Sequence, residues 1–169
     1  MIDAVRERLR QQGHAYRHGE DRPLGGYLTL MSVYAGAAGA AAVVARAFGR
    51  TAPQLSTADL GRLVVATFGI SRLLAKDPVT SPFRAPFTTF AGTSAPGELA
   101  EEVRGDGLRH SVGELVTCPM CLSQWVATGL YFGLVFAPVP ARAVLTIASA
   151  VAGSDALHHA YVRLQQATE

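Results

Sequence analysis

The chain has 169 residues, of which 49% are hydrophobic and only 17% charged, with a net charge of +2. Soluble domains usually carry about 25% charged residues, so the deficit excludes a disordered chain and a basic protein that coats nucleic acid. Two cysteines in this length exclude a disulfide-stapled miniprotein, and the length suits one domain of ordinary size.

Residues 1–23 are polar and rich in arginine, yet Ile2, Val5 and Leu9 recur at helical spacing with Glu7 and arginines on the other face. This is the pattern of an amphipathic arm lying in a membrane interface. From residue 24 to 45 nothing ionisable occurs except Tyr27 and Tyr34. A hydrocarbon core about 30 Å thick needs roughly 20 helical residues. A signal peptide starts its apolar core earlier and keeps it shorter. The run therefore predicts a retained transmembrane helix near 24–48, with Gly36, Gly39 and Ala40 as a small-residue face for close helix approach.

Three further spans are expected. Residues 60–75 are apolar but interrupted by Arg62 and Arg72; at 1.5 Å per residue they reach only about 24 Å, so the arginines would snorkel toward the two faces. The stretch 119–137 is opened by Pro119 and closed by Pro138. Residues 141–163, past Arg142 at their start, stay apolar until Asp155, His158 and His159. The expected fold class is all-α, a polytopic transmembrane bundle of about four spans, with residues 24–169 as a single membrane domain behind the arm.

Orientation follows from lysine and arginine in the flanks. Arg6, Arg8, Arg10, Arg17, Arg22, Lys76, Arg84, Arg104, Arg109 and Arg163 fall on one side, against Arg46, Arg50, Arg62 and Arg142 on the other. The expected location is the cell (inner) membrane, multi-pass, with both termini in the cytoplasm and the lipid bilayer as the main partner.

The cytoplasmic loop 77–117 is too long for a passive linker. Pro78, Pro82 and Pro86 recur every fourth residue, accompanied by Phe83, Phe87 and Phe90, a density expected to forbid helix and favour an extended path. Beyond the 92–97 break, residues 98–104 read as a short polar helix with Glu98, Glu101 and Glu102 on a solvated face. Gly105-Asp106-Gly107 ends it, and Leu108, Val112, Leu115 and Val116 follow a helical period into the cysteines. Lys76 and Arg84 beside the membrane suit anionic lipid headgroups or simple positive-inside anchoring.

Cys118-Pro119-Met120-Cys121 is the sharpest local signal. Proline in a first helical turn puts Cys118 at the N-cap, where free N–H groups and the helix dipole favour a thiolate. That is the geometry of thiol–disulfide exchange, with Cys118 as nucleophile and Cys121 as resolver. The same pair supplies half a metal site; His110 and Glu114, four residues apart, could complete it, and zinc is the cofactor such donors suit. Two small cysteines filling a helix junction is the third reading. Asp155 within an apolar span is costly and hence a functional candidate. His158 and His159 share its helix face, and Arg72 and Cys118 are expected at the same depth, as a polar membrane cluster or a packing ion pair. Trp125 suits an interface anchor. No Gly-rich phosphate loop, H-E-x-x-H or nucleophile elbow is present, and no nucleic-acid partner is implied.

Ser71-Arg72-Leu73-Leu74 with Lys76-Asp77, then Val79-Thr80-Ser81-Pro82-Phe83-Arg84-Ala85-Pro86-Phe87, then Gly113-Glu114-Leu115 running into the cysteines and Trp125, resemble the bacterial membrane family called domain of unknown function 1360. That family includes sporulation-associated members of bacilli and many actinobacterial ones; the alanine- and arginine-rich composition, with Lys76 the single lysine, is similar to the latter. The resemblance covers roughly 58–165. It implies an integral membrane protein without an assigned activity, and it places Arg72, Asp77, Arg84, Glu114, Cys118 and Cys121 within motifs. Three functions stay open: a non-enzymatic membrane component assisting a membrane protein partner, a membrane thiol–disulfide redox protein, and a metal-binding protein or small transporter.

Overall fold

The structure is a computed structural model that describes residues 22–167 together with Glu7, Arg8 and Tyr16. Ile2, Val5 and Leu9, the apolar positions of the expected arm, lie outside the described residues. Helix α1 spans Leu24–Ala47 and α2 spans Thr57–Lys76. Ser56 starts α2 by accepting the Asp59 N–H at 3.1 Å, the usual N-cap bond. At its other end Pro78 holds Asp77 in an extended conformation, φ −68° and ψ 141°, which stops the helix.

The proline-rich segment corrects the expectation of an extended path. Pro78–Thr80 is a 3-10 turn and Ser81–Arg84 is a short helix, α3. Pro78 and Pro82 each sit in a first turn, where a missing N–H costs nothing. These prolines begin short helices instead of preventing them. Residues 98–104 correct the sequence reading a second time. They are not a polar helix: β2, Glu98–Val103, pairs antiparallel with β1, Thr88–Ala95. Three threonines favour β1 as strand, and Gly97, at φ +78°, takes a left-handed conformation in the turn that few other residues tolerate. The fold is therefore mostly helical with a two-stranded hairpin, and is not all-α.

Helices α4 (Gly107–Thr117), α5 (Pro119–Phe136) and α6 (Pro138–Gln166) complete the order. Two helices among the described residues, α1 and α5, are long and apolar enough to cross a membrane. Only 6% of the apolar window of α1 and 11% of that of α5 is buried, so neither is the wrapped core helix of a globule. The four-span expectation is not met by this measure. Asp59, Arg62, Arg72 and Lys76 interrupt α2, and Arg142, Asp155 and Arg163 interrupt α6.

Helices α2 and α6 run parallel. Asp59 pairs with Arg142 at 3.5 Å, Ser149 Oγ donates to the Arg62 carbonyl at 2.9 Å, and Arg72 meets Asp155 farther along. Between α2, α5 and α6 lies a small core of Ala66, Leu134, Ala141 and Leu145. Helix α1 stands outside it and leans on α4 at Gly26, where an added Cβ would come within 2.2 Å of Ser111 Oγ and 2.9 Å of the Gly107 carbonyl. Gly36 and Gly39, expected to be the close-approach face, have nothing within 4 Å of a Cβ. The tight contact of α1 is one end of the helix, not its middle.

Arg84 joins the hairpin to the helices. It is 1% exposed, and its guanidinium donates to the Leu74 carbonyl at 2.8 Å, Thr80 Oγ1 at 2.7 Å, the Asp77 carbonyl at 3.0 Å and the Glu101 carboxylate. Thr88 Oγ1 adds a bond to the Arg84 carbonyl at 3.0 Å. A buried ion pair that loses one partner leaves an uncompensated charge, at a cost of about 3–5 kcal/mol. Glu101→Leu is expected to lower the unfolding free energy by that order, measured by thermal or denaturant unfolding in detergent. The charge-free pair Arg84→Met with Glu101→Leu should recover part of the loss. Gly26→Ala should lower the melting temperature by wedging α1 from α4, whereas Gly36→Ala should leave it equal or higher, since alanine favours helix by up to about 1 kcal/mol.

Candidate functional site

The chemistry-bearing residues gather at two cavities. The first lies where α4 meets α5. Pro119 keeps Cys118 extended, φ −104° and ψ 106°, so Cys118 is at once the C-cap of α4 and the N-cap of α5. Its Sγ accepts the Cys121 N–H at 3.2 Å. Cys118 and Cys121 are joined as a disulfide, with Cα atoms 5.2 Å apart; Cys121 is exposed and Cys118 half-buried.

Beside the disulfide a cavity of about 470 Å³ opens between α1, α4 and α5. Cys121, Glu114, Gln124 and Trp125 line it from α4 and α5, and Tyr27 and Tyr34 from α1. Tyr27 donates to Glu114 Oε2 at 2.5 Å, and Arg22 reaches Glu114 Oε1 at 3.4 Å. The Tyr34 hydroxyl lies 2.8 Å from Thr128 Oγ1 and accepts from Gln124 Nε2 at 2.5 Å. Its ring meets Trp125 edge-on, centroids 5.2 Å apart. Trp125, expected as an interface anchor, thus packs against a helix of its own chain.

The expected zinc set of Cys118, Cys121, His110 and Glu114 does not assemble. The two sulfurs are bonded to each other, Tyr27 and Arg22 engage Glu114, and His110 lies 3.5 Å from the same carboxylate. Among the described residues no group of three or more His, Cys, Asp or Glu side chains is placed to hold a metal ion.

The second cavity, about 440 Å³, lies between α2 and α6. Arg72 Nε donates to Glu98 Oε1 at 2.8 Å and its Nη1 to Asp155 Oδ2 at 3.4 Å, tying α2 to β2 and α6. Asp155 remains 49% exposed. His158 and His159 are exposed and line neither cavity. Arg72 and Asp155 line this cavity and Cys121 the other. Asp77 lines the second cavity, and its backbone carbonyl holds Arg84. Arg84, at 1% exposure, is out of reach of lipid headgroups.

Tyr27, Tyr34, Gln124, Glu98 and Glu101 carry contacts that the sequence reading did not assign. The tyrosines had a signal: they are the two polar rings of an otherwise apolar run, seven residues and hence two helical turns apart. The glutamates had none, because a partner 17 or 26 residues away leaves no local spacing to read.

A family described as "Protein of unknown function (DUF1360)" matches residues 62–161. The matched segment contains the hairpin, α4, α5 and both cysteines, while α1 and its two tyrosines lie before it. No curated protein and no solved structure matches the chain.

Proposed function

The chain belongs to the DUF1360 family of proteins of unknown function, and from the chemistry of its cysteine pair we propose that it is a membrane thiol–disulfide redox protein. The observation behind this reading is the helix N-cap at Cys118, whose sulfur takes the Cys121 N–H at 3.2 Å. A sulfur at a helix N-terminus is stabilised as a thiolate, and a stabilised thiolate is a good leaving group in disulfide exchange.

The greater exposure of Cys121 supports a division of roles. An incoming thiolate of a partner protein reaches the exposed Cys121 Sγ. The Cys118–Cys121 bond breaks, a partner–Cys121 disulfide forms, and Cys118 departs as the capped thiolate. The partner's second thiolate then attacks its own sulfur in the mixed disulfide and releases Cys121. The partner ends oxidised and the chain ends as a dithiol, two electrons richer, with the protons exchanged through water. Cys118 is then the leaving and resolving sulfur, the reverse of the order expected from the N-cap alone. The bonded sulfurs favour this reading over a metal site and over a purely scaffolding component.

The apolar, unburied surfaces of α1 and α5 support insertion in a bilayer, and the lysine and arginine asymmetry supports a cytoplasmic face for both termini and for the cysteines. After reduction of intact cells, a membrane-impermeant maleimide is expected to label Cys118 and Cys121 only once the cells are opened; labelling from outside would reverse the orientation. Purified protein equilibrated across glutathione redox ratios should interconvert between dithiol and disulfide, read by thiol-dependent mass shift. Cys118→Ser should trap glutathione on Cys121 as a stable mixed disulfide. A disulfide that stays unreduced over the whole range, or glutathione captured only in Cys121→Ser, would count against the mechanism.

A further inference from the structure

A dithiol that has oxidised a partner must pass two electrons on, and the cavity beside Cys121 has the character of one class of acceptor. Its volume of about 470 Å³ falls in the range of small-molecule sites, about 300–1,000 Å³. Two of its three walls come from α1 and α5, the helices long and apolar enough to cross a membrane. Leu30, Met31 and Leu115 give it an aliphatic lining and Trp125 a flat aromatic one. A charged, water-borne oxidant finds little to bind on such walls, where the carboxylate of Glu114 is already taken by Tyr27 and Arg22.

Polar atoms are few and are placed together. Gln124 Nε2 donates to the Tyr34 hydroxyl, and since Thr128 Oγ1 gives its own proton to the Gln124 backbone carbonyl, Tyr34 donates to Thr128. This fixes the Gln124 amide on the apolar wall with one N–H to spare. A flat, neutral ring bearing carbonyl oxygens is complementary to both features: the ring to Trp125, a carbonyl to the remaining Gln124 N–H.

We propose that this cavity binds a lipid-soluble quinone, which accepts electrons from the reduced Cys118–Cys121 pair. The inference rests on the redox reading above and adds its electron acceptor. In the step, the two S–H bonds break and one S–S bond forms. Two electrons and two protons pass to the two carbonyl oxygens of the quinone, which leaves as the hydroquinone. No other reactant is needed, and Cys121, the sulfur on the cavity wall, is the one nearer the acceptor.

The test uses the full chain, purified in detergent, reduced, and freed of reductant without air. Decylubiquinone is the probe, since its ring is fully substituted and thiols do not add to it. Saturable quenching of Trp125, the one tryptophan of the chain, is expected, with one hydroquinone formed per disulfide. Ala35→Phe and Met31→Phe, which fill the cavity from α1, should each slow quinone oxidation at least tenfold relative to the same variant's reaction with glutathione disulfide. If the native chain exchanges with glutathione disulfide while decylubiquinone neither quenches Trp125 nor oxidises the thiols, the acceptor is wrong and the redox reading stands. Equal quinone rates in both filled variants would also overturn the cavity assignment. Failure to exchange even with glutathione disulfide would remove the redox reading and the acceptor with it.

Discussion

A guanidinium at 1% exposure is tolerable only if its donors are met and its charge is balanced, and that requirement at Arg84 organises the elements between α2 and α4. The Leu74 and Asp77 carbonyls, at the end of α2, are two of the acceptors. Glu101 supplies the countercharge from β2. One side chain thereby fastens a helix end, a 3-10 turn, a short helix and a hairpin. The hairpin is held again by Arg72 through Glu98 and packs on α4 closely enough that a Cβ on Gly113 would lie 2.4 Å from Val103 Cγ1. Since α4 ends at Cys118, the position of the disulfide depends on a salt bridge that does not touch it.

What could be read from the sequence follows from how far each signal reaches along the chain. The uncharged run from 24 to 45 and the proline-bounded run from 119 to 137 announce themselves, because length and hydropathy are local properties; both are helices, and they are the two with membrane-crossing character. The N-cap at Cys118 was legible for the same reason. Residues 98–104 misled because glutamate is a good helix former in isolation, and only pairing with the threonine-rich β1 makes a strand of them. The prolines misled in a subtler way. Their regular spacing suggested uniform conformation, whereas each acts alone, at the start of a separate turn. Glu101 looked solvated because the cation that buries it belongs to another motif.

The division of polar residues between two cavities separates roles that a single cluster would have mixed. The Arg72 network joins three elements through charges that remain partly exposed, which suits a brace. The α1–α4–α5 cavity combines a disulfide, an apolar lining and a few polar groups, the usual make-up of a small-molecule site. Its α1 wall lies before the family-matched segment, so the sulfur chemistry and half of the chamber beside it come from different stretches of the chain.

Cys118 closes α4 and opens α5 with no residue to spare between them. Two rigid rods that share a single joint have no slack in which to absorb a torsional change. The α4 rod is clamped at its other end as well, because the hairpin packed on it is tied to α2 through Arg72 and Arg84, so strain at the sulfur bridge has no loop in which to dissipate.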